Sequence, residues 1–572
     1  MVWGFVIKFA GTLMDLLLPW ALAYMIDTVI PANGRREILL WGIFMLVCSL
    51  LAVTFSVVAN RMASRVAGDA IYVIRRDLFA KVMILSDRQV DELTRPSLIS
   101  RLTADTYNVH QMLGRVQRLG VRAPILLIGG IAMTLMLDRA LAGVLLTTLP
   151  LLTLVVVIVS KSSIPLYGKL QESLDQFVRL VREDIGGIRV IKALSREDYE
   201  RQRFARINRE VVKREKKAAM TASVTSPAMN VLLNLGLVAV IVVGAVRVNR
   251  GETEVGKILA FMTYFTIILN ALLSISRMFV VLSKAAASAA RIGEVLDGRD
   301  EKVWERIKMP EEEKQCLPAK EGPVPHIVFE HVSFSYNKIA DNLNDISFSL
   351  KHGETLGIIG STGSGKTTVV NLLMGFYNVD KGRIRIDGQD IRTMDLSRLR
   401  RRFGAVFQND VLFAGGIYEN IDMGRKLKRE QVRQAVKHAR AEDFVEEKGG
   451  IGEKLDIRGA NLSGGQKQRL LIARALAGCP EILILDDSSS ALDYRTDAAL
   501  RKELREHFFS TTCIIIAQRI SSVMGADQIL VLEEGRMVGY GTHQELAESC
   551  GIYQEISRSQ LGIGEEEVCS AS

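Results

Sequence analysis

Apolar residues are distributed unevenly along this chain. Before residue 285 they form long runs with few charges, and after it they come in short groups separated by polar turns. Runs of spanning length, about 20 residues for a hydrocarbon layer of about 30 Å, lie near 3–30, 38–60, 120–137, 140–160, 224–248 and 255–283. Six crossings return both ends of this region to one side. Short connections at 31–37, 138–139 and 249–254 alternate with two long ones, 61–119 and 161–223. Inside the long connections, apolar positions still recur every three and four residues, as in AIYVIRRDLFAKVMIL and LDQFVRLVREDIGGIRVIKAL, so the spanning helices are expected to continue well past the membrane. The segments 95–109 and 195–204 interrupt that pattern and are expected to form short transverse helices. Asp15, Asn230, Asn234, Asn270 and Arg277 stand inside the runs, where a polar side chain is tolerated only against another helix or a wet cavity.

Charge gives the topology a direction. The net charge of +9 is concentrated in the long connections, at Arg61, Arg65, Arg75, Arg76 and Lys81 and again at Arg206, Arg209, Lys213, Arg214, Lys216 and Lys217. That is the cytoplasmic bias of a multi-pass membrane protein rather than a nucleic-acid surface. A signal peptide ending at Ala21-Leu22-Ala23 is not expected, because no basic segment precedes the apolar run and the run continues past the cleavage point. The six cysteines show no metal or disulfide spacing, as expected of a reducing compartment.

Residues 1–297 therefore read as an α-helical polytopic membrane domain. The charged stretch 298–325 reads as a linker, 326–558 as an α/β domain with a largely parallel core sheet, and 559–572 as a disordered tail. In ETLGIIGSTGSGKTTVVNLLMGF a strand, a glycine loop and a helix follow one another. Gly360, Ser361, Thr362, Gly363, Ser364, Gly365, Lys366 and Thr367 fit the pattern G-x-x-x-x-G-K-[ST], followed by Thr368. Such a loop wraps phosphates with backbone N–H groups. Its lysine meets the β- and γ-phosphates, its Thr367 hydroxyl binds Mg²⁺, and the helix start faces the anion. A second strand, EILILDD, ends at Asp486, a candidate Mg²⁺ ligand. LSGGQKQR, with Ser463, Gly464, Gly465 and Gln466, stands between the two.

With these motifs in place the chain resembles an ABC transporter half of the exporter type, over nearly its whole length to about Ser557. The resemblance implies that Tyr336 in VSFSYN stacks on adenine, and that Gln408 in AVFQND touches Mg²⁺ and senses the membrane domain. It implies that residues 490–493 cross between domains, and that 95–109 and 195–204 are coupling segments docking on nucleotide domains. It also implies that two nucleotide domains meet head to tail, so that each ATP lies between one chain's phosphate loop and the other chain's residues 463–466. Family exporters usually place an interfacial helix before the first span, whereas here Val2 and Trp3 already stand at the membrane.

Two positions depart from the family pattern. Asp487 stands where the family's catalytic glutamate polarises water, and Gln518 in IIIAQRI stands where its switch histidine contacts the γ-phosphate. A carboxylate withdrawn by about 1 Å can lose on the order of 10²-fold in rate, and loss of a proton-carrying imidazole roughly 10²- to 10⁴-fold. The expectation is a degenerate ATP site in a heterodimeric exporter of amphiphilic or drug-like compounds in the cell membrane. The partner would be a second ABC half carrying the full set. The alternatives are an ordinary homodimer in which Asp487 still works slowly, a non-hydrolytic regulatory subunit and a lipid flippase.

Overall fold

The computed structural model describes residues 2–32, 34–301, 324–488 and 492–561. Most of the expected linker and tail, and Ser490 and Ala491 of the crossing loop, lie outside these residues. The chain divides into two compact units, one of Met1–Met83 with Pro96–Asp297, the other of Ile84–Arg95 with Gly298–Ser572.

The first unit is helical throughout. Its elements are α1 (Val2–Tyr24, continued by a π-turn at Met25–Val29), α2 (Arg35–Val82) and, after α3 (Asp87–Leu93) of the second unit, α4 (Arg95–Ser100), α5 (Thr106–Leu119), α6 (Arg122–Leu137), α7 (Arg139–Gly186), α8 (Ile188–Ala193), α9 (Glu197–Ser223), α10 (Thr225–Asn249) and α11 (Val255–Leu296). Joined end to end they give, among the described residues, six helical elements long and apolar enough to cross a membrane. Helices of up to 48 residues reach about 72 Å at 1.5 Å per residue, more than twice the hydrocarbon thickness. The extensions expected from the periodicity are therefore continuous helix.

Small residues allow close packing of these helices, as is usual where lipid supplies no hydrophobic drive. A β-carbon at Gly236 would enter the Phe265 ring, and Gly256 leaves room for Asp27, whose Oδ1 accepts from the Gly256 N–H at 2.5 Å. Below the spans, polar contacts join the third and sixth elements. Buried Asp105 accepts from Ser288 Oγ at 2.8 Å and from Arg291 Nε at 2.9 Å, while Arg101 meets the Arg291 carbonyl and Glu294.

The short transverse helices do not fall where the pattern placed them. Residues 95–109 lie within the third long element, and residues 195–204 run from the turn after α8 into α9. The breaks come earlier, as α3 and α8. Ser86 opens α3 with a reciprocal cap, its hydroxyl accepting from the Gln89 N–H and Gln89 Oε1 accepting from the Ser86 N–H. Gly187 starts α8. Both signals were local and polar, and the apolar repeat running through them concealed the breaks.

The second unit carries two sheets. An antiparallel one has the order β2 (Leu343–Leu350), β1 (Ile327–Phe334), β4 (Lys381–Ile386), β5 (Gln389–Asp390). The other has the order β12 (Arg536–Gly541), β11 (Gln528–Glu533), β3 (Thr355–Gly360), β10 (Thr512–Ile516), β9 (Ile482–Asp486), β6 (Phe403–Val406). It is parallel except at the β11–β12 edge. Two short strands, β7 (Gly415–Gly416) and β8 (Lys454–Leu455), form a separate pair. The strands β3, β9 and β10 are almost wholly apolar because both faces are covered. Parallel order brings the carboxyl ends of β3, β10, β9 and β6 side by side, the place where α/β sheets bind ligands.

Candidate nucleotide site

At that edge, β3 ends in Gly360, where a β-carbon would collide with the Leu532 carbonyl oxygen. Gly363 and Gly365 adopt φ of +86° and +100°, the left-handed region that glycine enters without strain. A β-carbon on Gly363 would meet nothing within 4 Å, so the loop's backbone presents an open face there. Buried Ser364 Oγ has no partner among the described residues. Gly365 opens the helix Lys366–Leu373, whose first N–H groups face the loop.

Lys366 Nζ donates to the carbonyls of Gly360 at 2.9 Å and Ser361 at 2.6 Å. The ammonium thus folds back on its own loop. Burial lowers its pKa, and Asp486 and Asp487 act against that shift. Thr367 Oγ1 donates to Asp486 Oδ2 at 3.0 Å, so the two candidate Mg²⁺ ligands, 119 residues apart, are already joined. Burial raises the pKa of Asp486 and the neighbouring charge of Asp487 adds to the shift, while the Thr367 hydrogen bond and Lys366 oppose it.

Gln408 follows β6, whose Val406 pairs with Leu485 of β9, and so emerges beside the Asp486–Asp487 tip. Tyr336 is 38% exposed and meets the Tyr377 ring edge-on at 4.9 Å and 89°. Its hydroxyl lies 3.5 Å from Thr368 Oγ1 and accepts from Asn371 Nδ2 at 3.2 Å. Tyr377 and Asn371, which complete this aromatic corner, carry no motif that marks them in the sequence.

Residues 463–466 do not join this cluster. Ser463 caps the helix Gly464–Leu476, its N–H donating to Gln466 Oε1 at 3.0 Å and its Oγ accepting from the Gln466 N–H at 3.3 Å. Among the described residues no hydrogen bond or ion pair links 463–466 to the phosphate loop. A second start of a helix, with two glycines, is therefore presented apart from the first.

Comparison with known proteins places this arrangement. Residues 1–272 match the ABC transporter transmembrane region and residues 343–490 the ABC transporter domain. A Bacillus subtilis ABC transporter ATP-binding protein, YfiB, is 35% identical, with 97% of this chain and 95% of that one covered. The Mycobacterium bovis "Fatty acid ABC transporter ATP-binding/permease protein" is 34% identical over 85% of this chain and 76% of its own. A solved bacterial Atm1-family ABC exporter with ATP bound superposes with a TM-score of 0.81 at 26% identity, covering 99% of this chain and 98% of that one. The chain belongs to the ABC transporter family and is an exporter half.

In this ABC exporter half the two unusual positions are brought together. Asp487 follows β9 with φ of +51°, a conformation that aspartate tolerates better than most residues. Its N–H donates to the Ile516 carbonyl at 2.9 Å, which ties the turn to β10. Gln518, two residues beyond β10, donates from Nε2 to Asp487 Oδ2 at 3.4 Å. Gln560 holds the same turn from behind, donating to the Gln518 carbonyl at 2.7 Å and accepting from the Ile520 N–H at 2.7 Å. Gln560 lies near the chain's end and was not a candidate from sequence.

Proposed function

We infer that this exporter half works as the degenerate-site subunit of a heterodimer. It binds ATP between its own phosphate loop and a partner's signature helix, and lends residues 463–466 to the partner's hydrolytic site. The observation that carries the reading is the contact between Gln518 and Asp487 at 3.4 Å. The two altered positions form one locus, while Lys366, Thr367 and Asp486 beside it keep their contacts.

The residues fit Mg²⁺-ATP. Ser364 Oγ is a buried hydroxyl without a partner among the described residues, Lys366 donates to loop carbonyls, and the Thr367–Asp486 pair offers two oxygens for a hard cation. On this reading Gly360, Ser361, Thr362, Gly363, Ser364, Gly365 and Thr368 cradle the phosphates, Tyr336 carries the adenine, and Thr367, Gln408 and Asp486 hold Mg²⁺. Held by these residues, Mg²⁺ would supply neutralisation of phosphate charge. Asp487 orients water poorly because its carboxylate sits one methylene back, and an amide at 518 neither carries charge nor moves a proton. Nucleotide is held and released slowly.

The separation of 463–466 from the phosphate loop supports a composite site, since one chain alone supplies only half of the donors around a γ-phosphate. Closure of two such sites would be passed to the spans through their helical extensions and open a path outward through the cell membrane, with the nucleotide domain in the cytoplasm. Amphiphilic or drug-like compounds are the expected cargo, and the relative described as a fatty acid transporter supports the amphiphilic side of that range. Purification decides the partner question. The chain alone is expected to show near-background ATPase and the co-expressed pair to be active. Brisk turnover by an unmodified homodimer would overturn the reading.

A further inference from the structure

The spanning bundle holds more positive than negative charge at one place. Lys8, on α1, is 4% exposed. It lies six residues into the first span, about 9 Å along the helix axis from Val2. Its ammonium donates to Ser56 Oγ at 2.9 Å and Asn60 Oδ1 at 3.2 Å, both on α2. Those acceptors are neutral, and among the described residues no carboxylate is bonded to it. The charges acting on it are Arg122, Asp15 and Arg118.

The turn at Gly120–Val121, between α5 and α6, sets Arg118 and Arg122 on either side of a break beside α1. Arg122 pairs with Asp15 at 3.0 Å, yet its buried Nε has no partner among the described residues. Among the described residues Arg118 donates only to the Gly114 carbonyl on its own helix, at 3.0 Å. Three cations therefore share one acid. A further donor without a partner, Gln117 Nε2, is buried on the same helix, with the residue 8% exposed. A cation inside a span, as Lys8 and Arg122 are, ordinarily pairs with an acid or marks a ligand path; Arg118 stands just before the span, and among the described residues the unsatisfied groups of this cluster are donors.

We propose that Lys8, Arg118 and Arg122 bind the anionic headgroup, carboxylate or phosphate, of a membrane-dissolved amphiphile. The hydrocarbon part stays in the lipid and needs no closed pocket. Asp15 limits the site by holding Arg122 and by repelling a second anion. The proposal deepens the exporter reading by naming a cargo chemistry, and rests on it only for the direction of movement.

The full chain with its partner half is reconstituted in phosphatidylcholine nanodiscs. Binding of oleate and dodecyl phosphate is compared with that of methyl oleate and dodecyltrimethylammonium. The two anions are expected to bind at least tenfold tighter than the other two. Lys8→Met and, separately, Arg118→Gln are each expected to weaken anion binding about tenfold and leave methyl oleate unchanged. Arg118 is exposed, so its variant tests the site even if Lys8→Met fails to fold. Equal binding of oleate and methyl oleate, or anion affinity unchanged in folded variants, overturns the site.

Proteoliposomes then separate the sources. ATP-driven movement of oleate identifies the ligand as cargo, whereas Lys8-dependent binding without movement identifies a resident anionic lipid in the same site. Basal ATPase is measured in the same discs for the parent protein and both variants. A failed anion site is thus distinguishable from a failed two-site ATPase.

Discussion

Tyr377 donates its hydroxyl to Asp91 Oδ2 at 2.5 Å, and by this contact a helix that interrupts the spanning segments is held to the nucleotide fold. The same ring stands edge-on to Tyr336. Burial raises the Tyr377 pKa well above its ordinary value, and Asp91 adds to the shift, so the phenol keeps its proton throughout the working pH range. A second tie runs nearby, where Arg400 meets Glu301 with two nitrogens at 3.0 and 2.7 Å and the Glu301 N–H donates to the Ile84 carbonyl at 3.0 Å.

A hydrogen bond to a charged group contributes about 1.5–3 kcal/mol. Tyr377→Phe is therefore expected to raise amide hydrogen exchange over Asp87–Leu93 about tenfold or more, with ATP affinity kept within about twofold because the ring that faces Tyr336 remains. Exchange over α3 identical to that of the parent protein would show that Asp91 is held by something else.

The Thr367–Asp486 hydrogen bond predicts how the site responds to metal removal. Thr367→Val keeps the shape and removes the oxygen. Its affinity for ATP in Mg²⁺ should fall to near the value that the parent protein shows in EDTA, and EDTA should have little further effect on the variant. Fluorescent-nucleotide titration with and without the chelator measures both. A variant that still loses affinity in EDTA as steeply as the parent would place the metal elsewhere.

The parts of this molecule that could be read from its residues are those encoded by short-range repetition. Six apolar runs and the glycine loop at 360–367 are local patterns, each set by one element's geometry. The positions of α3 and α8 were not readable, because apolar spacing continued across both breaks and only the Ser86 cap and Gly187 marked them. Gln408, Asp486 and Gln518 come to one edge through parallel strand order, which the family resemblance supplied and spacing alone could not. Contacts such as Lys8 with Asn60, Asp91 with Tyr377 and Gln518 with Gln560 join residues 52, 286 and 42 positions apart. Nothing in either sequence neighbourhood announces them.

His326 gives the nucleotide unit a pH dependence. It is fully buried at the start of β1 and stacked on His352 at 3.8 Å and 14°. Its Nδ1 lies 2.7 Å from Thr512 Oγ1, and its Nε2 lies 3.3 Å from an Arg402 nitrogen. Burial first, then His352 and Arg402, push the imidazole down to about 4, against the pull of Asp387 and Glu481. Above pH 6.5 the ring is neutral folded or unfolded and contributes no pH dependence. As pH falls from 6.5 towards 4, the unfolded chain takes the proton first, and native stability falls by up to about 3 kcal/mol. Thermal unfolding of the intact protein between pH 7.5 and 5 should show this loss. His326→Gln, which cannot titrate but can still meet Thr512, should flatten it. An equally steep loss in the variant would assign the effect to other groups.

If the site is degenerate as proposed, the Gln518–Asp487 contact predicts that the two substitutions act as one unit. Asp487→Glu restores the missing methylene, but the longer carboxylate then meets an amide that cannot take up a proton. Gln518→His restores the imidazole opposite an acid that is still about 1 Å short. Each single variant in the co-expressed pair is therefore expected to raise turnover at this site by less than about tenfold. The double variant should raise it by about 10² or more, because position and proton transfer each contribute at that scale and side chains in contact are coupled. Single-turnover hydrolysis, with the catalytic glutamate of the proposed partner half replaced, isolates the site. Strictly multiplicative singles would mean that the two positions act independently. No gain in the double variant would count against a degenerate site built on this pair.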